Sequence, residues 1–252
     1  MANGHESTMP GGHAVTTHDA HTGQGHNVHG SHHPRLQHHF YNMDQQLEAS
    51  TLGMWVFLVT EIMFFGGLFM AYIVYRYWYP DAWVSASNHL DVGLGALNTG
   101  VLIFSSLTMA LAVRSAQVGS RMGQVVNLIL TIMFGATFLV VKYFEYAAKF
   151  TTGKGHEDGT LIPGPTFSPS LPKAEQLFFA LYFIMTGIHA AHMVVGIGIM
   201  LVILAMAWKG RFGPDYYGPV EVSGLYWHFV DIVWIFLFPL LYLLGAHFGG
   251  GH

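Results

Sequence analysis

Residues 52–75 read LGMWVFLVTEIMFFGGLFMAYIVY, an apolar run in which Glu61 is the only acidic or basic residue. The run exceeds the ~20 residues that a helix needs to cross a ~30 Å hydrocarbon core. Similar runs follow it, and none alternates with the two-residue period of a membrane β-strand. The sequence therefore predicts an all-α integral membrane bundle of five transmembrane helices. The predicted spans are residues 52–75, 92–113, 125–147, 177–208 and 225–246.

The composition of the whole chain agrees with a membrane protein. Apolar residues make up 52% of the 252 residues and charged residues only 10%, whereas a soluble domain carries about 25% charged residues. Ten lysines and arginines and a net charge of −4 exclude the basic patch that nucleic-acid binding requires. Because cysteine is absent, disulfides, iron–sulfur clusters and thiolate metal sites are excluded as well.

Residues 1–40 differ in composition from the rest of the chain. They contain ten of the 17 histidines, separated mainly by Gly, Thr, Ser and Asn. A segment with so few apolar residues cannot bury enough surface to order itself. The sequence therefore predicts a disordered His-rich tail, followed by a membrane domain at residues 41–252. The irregular histidine spacing favours adventitious metal binding over a specific metal site.

Basic residues between the spans favour a cytoplasmic N-terminus and a C-terminus on the opposite side. The short connections that carry Arg114 with Arg121, and Lys209 with Arg211, concentrate positive charge, which membrane proteins keep in the cytoplasm. Aromatic residues that follow the first span are then expected at the outer membrane interface. This predicted belt comprises Tyr75, Tyr77, Trp78, Tyr79 and Trp83.

Glu61 is the strongest candidate for a functional residue inside the membrane. It lies about 14 Å along the helix from Leu52, where a charged side chain costs a few kcal/mol. No basic residue lies within one helical turn of it, so the neutral acid is favoured. Two interpretations remain open at this point. Glu61 is either a structural carboxyl bonded to a neighbouring helix or a proton-linked or lipid-facing carboxyl.

The third and fourth spans carry further polar side chains at helical spacing. Lys142 and Glu145 stand three positions apart, which predicts that they pair and neutralise each other. His189 and His192 share one helical stripe with Gly196, where the glycine would admit a close neighbour. Two histidines on one face of a helix cannot be the opposed axial ligands of a single haem.

The fifth span repeats the spacing with His228 and Asp231. Because the two residues are one turn apart, Asp231 is predicted to pair with His228, with His192 as another candidate partner. A haem bridging His192 and His228, or a tight metal site, remains an alternative. Histidines bonded within the bundle or touching lipid headgroups are favoured over both.

Five motifs, taken in order along the five spans, resemble subunit III of the haem-copper oxidases. The first span is similar to the helix that carries the family's carbodiimide-reactive glutamate, here Glu61. The other motifs are Leu97-Asn98-Thr99 with Ser105-Ser106-Leu107-Thr108, Lys142-Tyr-Phe-Glu145-Tyr146, Thr186-Gly-Ile-His189-Ala-Ala-His192-Met-Val-Val-Gly196, and Tyr226-Trp-His228-Phe-Val-Asp231-Ile-Val-Trp234. The resemblance covers about residues 45–246.

The resemblance implies a non-redox accessory subunit of a bacterial terminal oxidase that reduces oxygen with cytochrome c and translocates protons. Such a subunit is part of an enzyme but has no catalytic residue, haem, copper or other metal of its own. It packs directly on subunit I and supports proton uptake and access of lipid and oxygen. Subunit II, a small subunit or a larger respiratory supercomplex, and bound phospholipid are further expected partners. The residues implied as structural or lipid-contacting are Asn98, Glu145, His189, His192, His228, Asp231 and Trp234.

Two departures from the family accompany the resemblance. Mitochondrial members have seven helices, and five-helix members are typical of bacterial inner membranes. Lys142 stands where the family usually has Gln. Within the family, the quinol oxidase subunit and the accessory subunit of nitric oxide reductase remain alternatives. Outside it, a metal or proton transporter and a haem-binding membrane anchor remain alternatives.

Overall fold

The computed structural model of the chain describes Gln37 and residues 40–151 and 172–248. Nearly all of the predicted His-rich tail lies outside these residues. Within them, the only β-type pairing is an isolated bridge between Gly213 and Tyr216. The helices are α1 (Met43–Trp78), α2 (Pro80–Ser87), α3 (Val92–Gln117), α4 (Arg121–Thr151), α5 (Lys173–Trp208) and α6 (Gly218–Phe248).

Five of these helices, α1 and α3 to α6, are long and apolar enough to cross a membrane. They coincide with the five predicted spans, so the prediction of an all-α bundle with five transmembrane helices is confirmed. α5 has 36 residues, as its long apolar run predicts, and exceeds the length that a bilayer requires. An odd number of crossings places the start of α1 and the end of α6 on opposite sides of the membrane.

The short helix α2 corrects the predicted aromatic belt. Pro80 occupies the first position of this helix, where its missing N–H group costs nothing. α2 turns Trp83 inward, so that it is only 1% exposed and packs edge-on against Tyr72 and Phe178. Trp83 is therefore a core residue and not part of an interfacial belt, whereas Trp78 remains exposed.

Local sequence signals determine where the helices begin and end. The side chains of Asn42 and Asp91 accept hydrogen bonds from the backbone N–H groups of Gln45 and Leu94, which satisfies free donors at the starts of α1 and α3. Gly119 follows α3 with a φ of 75°. This left-handed conformation is one that glycine adopts without steric cost, and it allows α4 to return directly alongside α3.

Helix α6 lies at the centre of the bundle, and α1 lies at its edge. In the apolar, membrane-spanning stretch of α6, 56% of the residues are buried, compared with 17% in the corresponding stretch of α1. α6 packs against α1, α2, α3 and α5. Most side chains of α1 therefore face outward and are available to lipid or to another protein.

The side chain of Trp227 on α6 contacts three other helices, α3, α4 and α5. Its indole N–H donates to Ser105 Oγ on α3 at 3.0 Å. Its ring lies against the backbone of α4 and α5, since a Cβ placed on Gly135 or Gly196 would come within 2.7 or 2.8 Å of ring atoms. Gly196 thus admits a close neighbour, and that neighbour is the Trp227 ring.

Candidate functional site

Glu61 and His192 form an ion pair or hydrogen bond between α1 and α5. Glu61 Oε2 lies 3.2 Å from His192 Nε2, and the two side chains are 18% and 21% exposed. The other ring nitrogen of His192, Nδ1, lies 2.9 Å from the backbone carbonyl oxygen of Ile188. If that nitrogen carries the proton, Nε2 presents a lone pair to the Glu61 carboxyl group. The tertiary structure thus supplies the base that is absent from the helical turns around Glu61.

An apolar groove opens beside the Glu61–His192 pair. It has a volume of about 520 Å³ and is lined from α1, α5 and α6 by Met54, Phe57, Val195, Ile199, Ser223 and Tyr226 as well as by the pair. The Tyr226 hydroxyl donates to the backbone carbonyl of His192 at 3.0 Å. This bond joins α6 to the backbone of α5, and the ring of Phe65, whose centroid lies 5.3 Å from that of His192, packs against the imidazole.

A second polar cluster is enclosed near the end of α4. Lys142 Nζ donates to Glu145 Oε2 at 2.7 Å, and both side chains are 5% exposed. Glu145 Oε1 accepts from the hydroxyls of Tyr182 on α5 and Tyr242 on α6, at 2.9 and 2.7 Å. The Lys142–Glu145 pairing is the one that the spacing predicts.

Aromatic rings complete the environment of Lys142. Its ammonium nitrogen lies 4.5 Å from the Trp234 ring centroid and 5.0 Å from that of Tyr242, which stabilises the cation through the ring electrons. The sequence reasoning did not single out Tyr182 or Tyr242. No motif connects them to Glu145, and only the packing of α4, α5 and α6 brings them together.

His189 is enclosed in the core, one turn before His192. It is 0% exposed and lies between the rings of Phe138 and Trp234, with centroids 5.4 and 5.3 Å away. Neither ring nitrogen has a hydrogen-bond partner in the part of the chain that the structure describes. His189 and His192 thus share a helix but have different surroundings.

His228 and Asp231 do not form the predicted pair. His228 Nδ1 instead lies 2.7 Å from Ser106 Oγ on α3. Asp231 is 2% exposed, and neither carboxyl oxygen has a hydrogen-bond partner among residues 40–151 and 172–248. The i, i+3 spacing allowed the pair, but Ser106 on α3 competes successfully for the imidazole.

The two remaining residues implied by the resemblance lie on either side of the α3–α6 contact. Asn98 is fully buried, and its amide group has no hydrogen-bond partner within the described ranges. The Trp234 indole N–H donates to Thr99 Oγ1 at 3.1 Å. No group of three or more His, Cys, Asp or Glu side chains placed to hold a metal ion occurs among the described residues.

Comparison with known proteins places this arrangement in context. Residues 35–160 and 167–246 match the family model of cytochrome c oxidase subunit III. Cytochrome c oxidase subunit 3 of Corynebacterium diphtheriae is 35% identical over 77% of this chain and 87% of its own length. Cytochrome c oxidase subunit 3 of Loxodonta africana is 32% identical over 79% of this chain and 71% of its own length. Quinol oxidase subunit 3 of Bacillus subtilis is 31% identical over 81% of this chain and 92% of its own length.

Proposed function

The chain belongs to the cytochrome c oxidase subunit III family, and from this membership we propose that it is the accessory, non-redox subunit of a bacterial terminal oxidase. It is a multi-pass membrane protein and part of an oxidoreductase complex. In the proposed complex, haem and copper belong to the partner subunits, and this chain packs on the catalytic subunit. The complex lies in the inner membrane, with the N-terminus of this chain in the cytoplasm and its C-terminus outside.

The observation that carries this proposal is how the three membrane histidines are engaged. His192 contacts Glu61, His228 contacts Ser106, and His189 is enclosed by aromatic rings. Each imidazole is thereby held by a different neighbour within the bundle. This arrangement supports a role in packing and in positioning a carboxyl group, and it argues against a bis-histidine haem site in this chain.

The Glu61–His192 groove supports the further proposal that this subunit aids proton uptake and the access of lipid and oxygen. The groove has apolar walls that suit acyl chains or a nonpolar gas, and its one acid–base pair can exchange a proton. Bound phospholipid is proposed here for the same reason. Glu61 lies on α1 and His192 on α5, so the packing of these two helices sets the distance between the acid and the base.

The test is to purify the oxidase with and without this chain. The intact complex is expected to oxidise reduced cytochrome c steadily. The depleted complex is expected to keep its haem spectrum but to lose activity during sustained turnover. The isolated chain is expected to show no haem absorption. Stoichiometric haem in the isolated chain, or equal activity with and without it, would contradict the proposal.

The electron donor has a second candidate, because one of the relatives above is a quinol oxidase subunit. The residues of this chain do not contact a donor in the proposed complex, so its sequence has no reason to differ between the two oxidase types. Assaying the purified complex with reduced cytochrome c and with quinol separates them. The nitric oxide reductase alternative is tested in the same preparation, with nitric oxide in place of oxygen.

A further inference from the structure

We propose that the groove between α3 and α6 is the docking site for a transmembrane helix of a partner subunit, which places a hydrogen-bonding side chain on Asp231. This inference rests on the proposed function, since it requires that the chain assemble with other oxidase subunits. Beyond the proposed function, the inference identifies the surface of this chain that makes the contact and the hydrogen-bonding side chain that the partner must supply.

The groove is distinct from the one beside Glu61. It has a volume of about 370 Å³ and lies between α3 and α6. Its walls are apolar, and its polar lining consists of Ser106, His228 and Asp231. Ser106 and His228 bond to each other through Nδ1, which leaves the Asp231 carboxyl as the group without a hydrogen bond among the residues lining the groove.

Asp231 is costly to the isolated chain in this position. It is 2% exposed, and both of its oxygens lack a hydrogen-bond partner among the described residues. A buried polar group without a hydrogen-bond partner destabilises the fold, and a charged one does so more strongly. A side chain from outside this chain that bonds to Asp231 would remove that cost on assembly.

The depth of Asp231 identifies the kind of partner. It lies near the middle of the membrane-spanning part of α6, Gly218–Leu243, and so about 20 Å along the helix from its start. Lipid headgroups lie at the two surfaces of the bilayer, beyond the ~30 Å hydrocarbon core. A headgroup therefore does not reach Asp231, and a side chain that bonds to it at this depth belongs to a protein segment that crosses the core, which in a helical bundle is a helix.

The rim of the groove fits such a helix. Four large apolar side chains stand half-exposed along it, namely Ile103, Leu107, Ile232 and Ile235. Ala110 also lines the groove, and small residues allow the close helix approach that is typical of membrane interfaces. The outer face of α1 exposes more apolar surface but presents no buried, unbonded polar group, which is the character of a surface that faces lipid.

The first test is photo-crosslinking within the purified complex. A benzophenone amino acid is placed at Ile232, on the groove rim, or at Val202, an exposed residue of α5 that serves as the control. Crosslinking from position 232 to a transmembrane helix of another subunit, at least fivefold above that from position 202, is expected. An intact complex with no protein crosslink from position 232, or with crosslinks to lipid alone, overturns the proposal.

The second test uses Asp231 variants and two measurements with opposite expected signs. Asp231→Leu is expected to raise the melting temperature of the isolated chain, because it removes a group that has no partner there. In the complex, the same change is expected to reduce retention of the chain in detergent at least tenfold. Asp231→Asn keeps hydrogen-bonding capacity and is expected to be retained within twofold of wild type.

The outcomes separate this inference from the proposed function. If the wild-type chain does not co-purify with a catalytic oxidase subunit, the proposed function and this inference both fail. If it co-purifies and Asp231→Leu is retained like wild type, the docking site alone is wrong. A lower melting temperature of the isolated Asp231→Leu chain also contradicts the inference, since it would mean that Asp231 serves the chain's own packing.

Discussion

Glu61 Oε2 lies 3.2 Å from His192 Nε2, although 131 positions separate the two residues in the chain. One lies on α1 and the other on α5, so their contact depends on how these two helices pack. α1 is the least buried of the five membrane-spanning helices. The pair therefore adds a polar contact that fixes this peripheral helix to the bundle.

Glu61 is expected to be the carboxyl group that a hydrophobic carbodiimide labels. It is partly exposed beside an apolar groove, whereas Glu145 is enclosed and bonded to Lys142. Mass spectrometry of the labelled chain in its membrane is expected to place the adduct on Glu61 and to find none in Glu61→Gln. In the His192→Leu variant, which lacks the base beside Glu61, the carbodiimide is expected to label Glu61 faster than in the wild type. Labelling of Glu145 before Glu61 would show that the groove does not control access.

Gly196 and Gly198 of α5 provide a matched pair of substitutions. A Cβ at position 196 would lie 2.8 Å from the Trp227 ring, whereas a Cβ at position 198 meets nothing within 4 Å. Gly196→Ala is expected to cost about 1–3 kcal/mol, because the packed ring must move. Gly198→Ala is expected to be neutral or slightly stabilising, since alanine favours helix. Unfolding in detergent measures both, and equal stabilities would contradict the close α5–α6 approach.

The Lys142–Glu145 pair is expected to couple strongly in stability. Lys142→Met leaves the Glu145 carboxylate buried without its cation, and breaking a buried pair in this way costs about 3–5 kcal/mol. Lys142→Gln keeps a donor for Glu145 and is expected to lose less. The double variant Lys142→Met/Glu145→Gln is expected to be more stable than Lys142→Met alone. Chemical unfolding of the isolated chain gives the free energies of the wild type, the singles Lys142→Met and Glu145→Gln, and their double variant, and strict additivity would exclude the coupling.

Ser106 and His228 are expected to couple with each other more strongly than His228 does with Asp231. The first two residues share a 2.7 Å contact across α3 and α6, and a hydrogen bond of this kind contributes about 1 kcal/mol. Double-mutant cycles with Ser106→Ala, His228→Phe and Asp231→Leu measure both couplings in the isolated chain. A larger coupling for His228 with Asp231 would restore the pair that the sequence spacing predicts.

The positions of the membrane spans could be predicted because they depend on local composition. A run of about 20 apolar residues must cross the membrane as a helix, since no water is present there to bond the backbone. Helix α2 was missed because its eight residues are neither long nor apolar enough to give such a signal. Trp83 was misplaced for the same reason, since its burial depends on the direction in which α2 turns.

Partners one turn apart on a helix were predicted with mixed success. Lys142 and Glu145 do pair, because opposite charges in an apolar region leave few alternatives. His228 and Asp231 do not, because Ser106 on α3 lies within reach of the imidazole. Spacing along one helix shows which side chains can meet, but it does not show which neighbour on another helix is closer.

The sequence by itself determined the helical membrane architecture, the family and the set of polar residues inside the bundle. Each follows from hydropathy or from motifs that are contiguous along the chain. Only the tertiary structure decided that His192 meets Glu61, that two tyrosines bond to Glu145, and that Asp231 remains without a hydrogen bond beside a groove. These contacts join residues on different helices, and the rotation and depth at which helices pack depend on side-chain fit across the whole bundle.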